Sequence, residues 1–285
     1  MRIAISGSSG FIGKHLTTFF AGQGDTVIPL PHSLFGKEDS KELEVSLSGC
    51  DVVINLAGST INQRWTKASK RNILNSRIEV TRQLVSVINH MPVKPSLFIS
   101  ASAVGIYPDS GVYTESNLSE GRGFLAEVCS RWEDEAQKLS PDVRLAITRF
   151  GVVLGKDGGA FPKMLLPFRL FAGGRIASGK QGFSWIHIDD VLRGIQFIIT
   201  REHLSGIINF VSPEPITNQI LTESIAKVLH RPAWIPLPAF IFRLLYGEGE
   251  AMVTRGQQAY PARLLSAGYI FRYTDIRRAL YSLIG

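Results

Sequence analysis

The segment Arg2 to Gly13, RIAISGSSGFIG, constrains this chain more than any other. Arg2 to Ser6 reads as a short apolar strand. It runs into glycines at positions 7, 10 and 13, and the amphipathic run Phe11 to Phe20 follows as a helix. Gly7 can take the left-handed backbone of a tight turn, Gly10 lets a pyrophosphate approach the main chain, and Gly13 lets helix and strand pack closely. The helix start then offers free N–H groups to an anion. Gly7, Ser8, Ser9, Gly10, Phe11, Ile12 and Gly13 are therefore the expected wall of a dinucleotide site. The competing reading is a glycine-rich loop of no function; the strand before it and the helix after it favour the nucleotide.

The first half of the chain continues the same alternation. Thr26 to Leu30, Asp51 to Leu56, Leu97 to Ser102 and Arg144 to Arg149 read as strands, with helical patterns between them, notably Lys67 to His90 and Phe124 to Leu139. Such alternation implies a parallel sheet covered on both faces, an α/β fold of the Rossmann-like, doubly wound kind. Past Gly155 the composition turns rich in Gly and Pro around a short helix, Met164 to Phe171. Strands at Phe183 to Ile188 and Gly206 to Val211 follow, separated by a helix from Asp189 to Thr200. Helices are expected near Asn218 to Leu229, Pro238 to Tyr246 and Asp275 to Leu283. The expected division is a dinucleotide-binding domain over 1–155, which also receives the strands near 183–211, and a small, mostly helical substrate lobe over 156–285.

With 285 residues, 45% of them hydrophobic and 19% charged, the chain can bury a large core, and disorder is not expected. Cys50 and Cys129 form no ligand pattern, so neither a disulfide framework nor a metal site is indicated, and a reducing cytoplasm suits them. No stretch approaches the roughly 18 apolar residues of a membrane span, and the glycines interrupt any leader-like apolar run at the start. The net charge of +7 favours anionic ligands, but no basic tail or nucleic-acid motif accompanies it. The expected partner is thus a small, anionic substrate, with neither nucleic acid nor membrane; monomer and homodimer stay open.

Ligands of such sheets bind beyond the carboxyl ends of the strands. The second strand ends at Leu30, Pro31, His32, Ser33, with no acidic residue before Glu38 to take a ribose hydroxyl. His32 and Ser33 suit a 2′-phosphate instead, so NADP (NADPH) is favoured over NAD, against the reading of a plain solvated loop histidine. After the third strand come Leu56, Ala57 and Gly58, then a segment from Asn62 to Arg82 with six basic residues and one acid. Arg64 and Trp65 could wall a carboxylate or phosphate clamp, with Arg77 approaching the cofactor side; a solvated helix face suits Lys70 and Arg71.

The motifs GSSGFIG (7–13), NLAG (55–58), RWT (64–66), NSR (75–77), SASAVGIY (100–107), FLAEVCSRWE (124–133), RFGVVLGKDGGAF (149–161), KMLLPFRL (163–170) and SWIHIDD (184–190) carry a resemblance over essentially the full length. The chain resembles the extended short-chain dehydrogenases/reductases, and more narrowly their atypical epimerase family group with a C-terminal domain of unknown function, here from about residue 230. That resemblance implies nicotinamide hydride transfer on a carbonyl or sugar-nucleotide-like substrate, with the backbone of Phe150, Gly151 and Val152 beside the nicotinamide. It also implies a Tyr and a Lys four residues apart on the helix after the fourth strand, but those positions hold Leu125 and Cys129. Leucine transfers no proton, and a thiol with a reference pKa near 8.5 supplies no cation.

Three residues are candidates for the missing chemistry. Ser102, ahead of Ser100 on the same strand face, matches the substrate-orienting serine. Tyr107 is either a replacement acid/base or a structural tyrosine. Glu127 is either a desolvated proton carrier or a solvated helix residue. Cys129 reads as an activated thiol or as a small core residue, and His187, ahead of Asp189 and Asp190, as a base or as a helix start. Two functions remain: an NADP-dependent oxidoreductase or epimerase, and a nucleotide-binding regulatory or interaction protein that has lost the chemistry.

Overall fold

The computed structural model describes residues 1–36, 41–117 and 119–284; Glu38 lies outside the described residues. The chain begins with β1 (Arg2–Ser6), α1 (Phe11–Ala21), β2 (Thr26–Leu30), α2 (Lys41–Leu47), β3 (Val52–Asn55), α3 (Lys67–His90) and β4 (Leu97–Ala103). Next come β5 (Val112–Tyr113), α4 (Phe124–Ala136), β6 (Arg144–Phe150), β7 (Val152–Leu154), α5 (Phe161–Arg169), β8 (Gly182–Phe183), β9 (Trp185–His187), α6 (Ile188–Thr200) and β10 (Gly206–Phe210). The last part holds β11 (Ile216–Thr217), α7 (Asn218–Leu229), α8 (Ala239–Tyr246), α9 (Ala251–Thr254), β12 (Gln258–Ala259), α10 (Ala262–Ser266) and α11 (Ile276–Ile284).

Six strands form one parallel sheet in the order β10-β6-β4-β3-β1-β2, as the alternation of strands and helices implies. The chain steps outward from β1 to β2 and then returns to the other side of β1 for β3, so the strand order reverses between β1 and β3. In such sheets a crevice opens at that reversal. Alternation along β1 feeds two cores: Ile3 and Ile5 join Leu16, Phe20 and Ile195 on one face, while Ala4 joins Leu43, Leu84 and Ile88 on the other. Full burial contributes about 1.5–3 kcal/mol for each large aliphatic side chain. A third core, built on Phe161, Leu165, Leu221, Ile225 and Leu280, holds α5, α7 and α11 together.

Caps fix the helices that the sequence delimits best. Thr66 Oγ1 accepts from Ser69 N–H at 3.1 Å while Thr66 N–H donates to Ser69 Oγ at 2.7 Å, a reciprocal cap at the start of the 24-residue α3. Thr217 caps α7 alone, its hydroxyl accepting from Ile220 N–H. One expectation is corrected: Phe183 to Ile188 is not a single strand of the main sheet. It breaks at Ser184, β8 pairing antiparallel with β11 and β9 pairing parallel with β7 outside the six-stranded sheet, so only Gly206–Phe210 of that region joins it. The break follows from Gly151, where a Cβ would lie 2.7 Å from Ser184 O, and from the bond of Val152 N–H to Ser184 O at 2.8 Å.

Gly13 sits inside α1, where alanine normally favours the helix by about 1 kcal/mol. Here a Cβ would stand 2.2 Å from Gly7 O and 2.7 Å from Ser8 Cα, so the sign reverses. Gly13→Ala is expected to lower stability by about 1–3 kcal/mol. A urea titration reads this as a lower midpoint at unchanged slope; an equal or higher midpoint would refute the close packing of α1 on the turn.

Candidate functional site

The turn after β1 is the crevice itself. Gly7 has φ +71°, and a Cβ on it would lie 2.8 Å from the Leu56 backbone, so the ends of β1 and β3 meet through a bare glycine. Gly10 N–H donates to Gly7 O at 2.9 Å and closes the turn. Gly10 then caps α1 with no side-chain acceptor, and no acidic residue stands in the first helical turn, so the helix start presents its N–H groups uncompensated. Ser9 and Gly10 are exposed, Ser8 is half-buried, and Gly13 is buried. That open, positive, glycine-walled turn fits a pyrophosphate.

Phe11 and Ile12 belong to the wall rather than to the opening. Phe11 lies beneath the Gly155–Gly159 loop, where a Cβ on Gly155 would come within 2.3 Å of its ring, and His15 Nε2 bonds Asp157 at 2.9 Å to hold that loop down. Gly155, Gly158 and Gly159, at the start of the Gly- and Pro-rich stretch, therefore serve this packing. His32 and Ser33 open the short helix that follows β2 and both are exposed, as a phosphate contact requires.

The floor at β3 is held by a buried chain of hydrogen bonds. Ser6 Oγ donates to Asn55 Oδ1 at 2.6 Å, Asn55 Nδ2 donates to Thr81 Oγ1 at 2.8 Å, and Trp132 Nε1 donates to the same hydroxyl at 2.8 Å. This fixes the strand end just before Leu56, Ala57 and Gly58. Arg77 covers Gly58 closely enough that a Cβ there would lie 2.9 Å from its Cζ. Its Nη1 donates to Ile73 O at 2.8 Å and Ser59 O at 3.1 Å, it stacks over Trp132, and burial lowers its pKa. Arg64 and Trp65 turn instead to the C-terminal lobe. Trp65 N–H donates to Tyr246 O at 3.0 Å, and Arg64 Nη1 donates to Leu244 O at 3.4 Å.

Ser102 and Tyr107 come together through Arg149, a polar residue at a strand end as they are, and through Glu133, which sequence reasoning did not place in the site. Ser102 Oγ donates to Glu133 Oε1 at 2.5 Å. Arg149 grips the same carboxylate twice, Nε to Oε1 at 2.8 Å and Nη2 to Oε2 at 2.7 Å, and its Nη1 donates to Tyr107 Oη at 2.9 Å. Tyr107 Oη donates on to Asn209 Oδ1 at 2.9 Å. All five side chains are buried. Burial opposes the charge on Arg149, but the Glu133 pair outweighs it and holds the guanidinium protonated; burial likewise raises the Tyr107 pKa and keeps it a phenol. The signal available beforehand was an arginine near the carboxyl end of a strand, RLAITRF, where such sheets bind ligands.

Glu127 stands apart. It is exposed on α4, 3.6 Å from Arg131, so the desolvation that a proton carrier needs is absent. Cys129 is buried, and burial with Glu133 nearby pushes its thiol up to about 12; it is a core residue, not a nucleophile. His187 caps α6: its Nδ1 accepts from Asp189 N–H at 3.0 Å, and burial lowers its pKa to about 4. Phe150 is buried edge-on against Phe210, and Gly151 N–H donates to Phe210 O at 3.1 Å. Val152, together with Ile61 and Asn62 beyond β3 and Val104 beyond β4, lines a cavity of about 380 Å³ that α5, α7 and α8 close from the other side.

A model for the NAD dependent epimerase/dehydratase family matches residues 3–210, and one for a domain of unknown function (DUF1731) matches residues 237–283. The epimerase family protein SDR39U1 homolog, chloroplastic, of Arabidopsis thaliana is 37% identical over 302 residues, spanning 100% of this chain and 87% of its own. The epimerase family protein YfhF of Bacillus subtilis is 37% identical over 298 residues, spanning 100% and 98%. The crystal structure of human epimerase family protein SDR39U1 (isoform 2) with NADPH matches with a TM-score of 0.91 at 33% identity, spanning 99% of both chains.

Two outcomes follow from this geometry. Glu133→Gln leaves Arg149 buried without its counter-ion and is expected to lower stability by about 3–5 kcal/mol, read by chemical denaturation; a loss below about 1 kcal/mol would mean that the pair is not what holds α4 to β6. Iodoacetamide at pH 8 should leave Cys129 unlabelled in the folded protein and label it in denaturant, as mass spectrometry will show; rapid labelling of the native state would contradict its burial and raised pKa.

Proposed function

The chain belongs to the NAD dependent epimerase/dehydratase family, and on that footing we propose that it is an NADP(H)-dependent oxidoreductase or epimerase acting on a carbonyl compound. The observation that carries this reading is the glycine turn at the strand-order reversal, with its uncapped helix start and with exposed His32 and Ser33 at the end of β2. Gly7 through Gly13 hold the pyrophosphate, His32 and Ser33 take the 2′-phosphate, Leu56 to Gly58 with Arg77 border the nucleotide, and Phe150 to Val152 lie on the nicotinamide side. When bound, the nicotinamide supplies or accepts a hydride. The NADPH complex of a 33% identical relative supports the cofactor preference.

Of the catalytic candidates, Tyr107 is the phenol kept protonated by burial, with the Arg149 charge bonded to its oxygen to steady the phenolate once the proton has left, which suits a proton donor, and Ser102 is the hydroxyl held beside it through Glu133. Glu127 takes no part. A second reading, a nucleotide-binding regulatory or interaction protein without turnover, draws on one observation: Ser102, Glu133, Arg149, Tyr107 and Asn209 are buried and satisfy one another. Among the described residues no helix is long and apolar enough to cross a membrane. Two free, buried cysteines support a reducing compartment such as the cytoplasm, although one relative is named as chloroplastic.

A fluorescence titration with NADPH and NADH at equal ionic strength tests the cofactor. The expected result is at least tenfold tighter NADPH binding, narrowed by His32→Asp. Gly10→Asp, whose Cβ meets only Gly7 O at 3.2 Å, is expected to fold and to lose at least tenfold in NADPH affinity. Equal affinities would remove the His32 assignment, and undiminished binding by Gly10→Asp would remove the site itself.

A further inference from the structure

The cavity beyond β3, β4 and β6 has a chemistry of its own. Its walls are mainly apolar, with Met164 and Phe168 from α5, Leu221 and Ile225 from α7, and Leu237 and Phe242 at α8. No Asp or Glu is among its described lining residues, while two cations, Lys163 and Arg255, are. Both cations are exposed, so they meet a ligand at the rim. Arg255 has a carboxylate 3.6 Å away in Asp109; Lys163 has no ion-pair partner among the described residues.

One polar atom inside is left over. Gln181 Nε2 donates to Ile176 O at 3.0 Å and to Val253 O at 3.1 Å, which fixes the amide orientation, because a flipped amide would set its oxygen against two carbonyls. Gln181 Oε1 is then a buried acceptor with no donor. An atom of that kind costs about 1–3 kcal/mol unless something bonds it. A sugar diphosphate would need many polar partners for its hydroxyls and phosphates; of the other polar side chains in the lining, Ser184, Asn218 and Gln257 already bond within the protein, so few are left to serve it. Two of the helices that wall the cavity also expose apolar side chains, Leu166 on α5 and Phe240 and Leu244 on α8.

We propose that this cavity binds an amphipathic monoanion: an apolar chain or ring body among Met164, Phe168, Leu221, Ile225 and Phe242, a hydroxyl donated to Gln181 Oε1, and an acidic group at the Lys163 and Arg255 rim. The site takes this ligand class rather than a sugar nucleotide. Calling the ligand the substrate rests on the enzymatic reading above; its binding does not.

Displacement of 1-anilinonaphthalene-8-sulfonate, followed by fluorescence on the full-length chain with and without NADPH, tests this. Dodecanoate is expected to displace the probe at micromolar concentration, and UDP-glucose is expected not to. At least one monohydroxydodecanoate is expected to bind several-fold tighter than dodecanoate, and Gln181→Leu should cancel that gain. Lys163→Glu, at an exposed position, and Phe242→Glu, at a half-buried one, should each weaken dodecanoate at least fivefold while leaving NADPH affinity within twofold. Displacement by UDP-glucose but not dodecanoate, or unchanged dodecanoate binding in both glutamate variants, would overturn the proposal. Loss of NADPH binding in the parent chain would strike the cofactor reading alone, since displacement without NADPH is read separately.

Discussion

The ion pair of Glu133 with Arg149 is the interaction on which the rest of the site depends. Each charge costs several kcal/mol to bury, and the cost is met only because both carboxylate oxygens and three guanidinium nitrogens are bonded. Through Ser102, Tyr107 and Asn209 the pair joins β4, β6, β10 and α4 into one unit. It also accounts for the residue at 129. The Arg77 and Arg149 charges both pull the Cys129 pKa down, though by less than burial and Glu133 raise it. A lysine in that place would be a third cation beside two guanidinium groups, one of which, Arg77, already has its charge disfavoured by burial. The missing lysine and the two arginines are thus one arrangement: positive charge reaches this region from α3 and β6 instead of from α4.

The opposite end of the site rests on an absence of atoms. Gly7 and Gly13 leave room for a carbonyl and a backbone crossing that any Cβ would block. That requirement is local, so the residues announce it in sequence, and the strand, tight turn and helix start of Arg2 to Gly13 were legible at once. So were α3 and α7, whose bounds Lys67–His90 and Asn218–Leu229 follow from periodicity framed by the capping threonines Thr66 and Thr217.

Less legible were features made by residues far apart in the chain. Glu133 and Arg149 stand 16 residues apart, and Tyr107 and Asn209 stand 102 apart; no spacing rule links them, and only the parallel register of β4, β6 and β10 does. The division of Phe183–Ile188 into two ladders has the same origin, since β8 and β9 have only two and three residues and take partners from β11 and β7. Arg64 and Trp65 read as ligand contacts because they follow a strand end, yet their bonds run to backbone carbonyls near Tyr246. Position beyond a strand marks where a ligand can reach, and it marks equally where a second lobe can dock.

That docking explains why the two ends of the site differ so much in character. The nucleotide end is built from backbone N–H groups, bare glycines and buried hydrogen bonds of the parallel sheet, whose geometry is set by main-chain pairing. The other end is built from side chains of α5, α7 and α8, the first two held by their own core around Phe161, Leu165 and Leu280 rather than by sheet hydrogen bonds. Apolar side chains set shape without demanding fixed partners, so this end can change its ligand by substitution while the sheet stays the same. Gln181, tied at its nitrogen to Ile176 and to Val253 of α9 and unsatisfied at its oxygen, is where that adaptable wall still imposes a direction. The unmet polar demand of the cavity is therefore the Gln181 oxygen and the cations at the rim, and the apolar side chains between them select by volume.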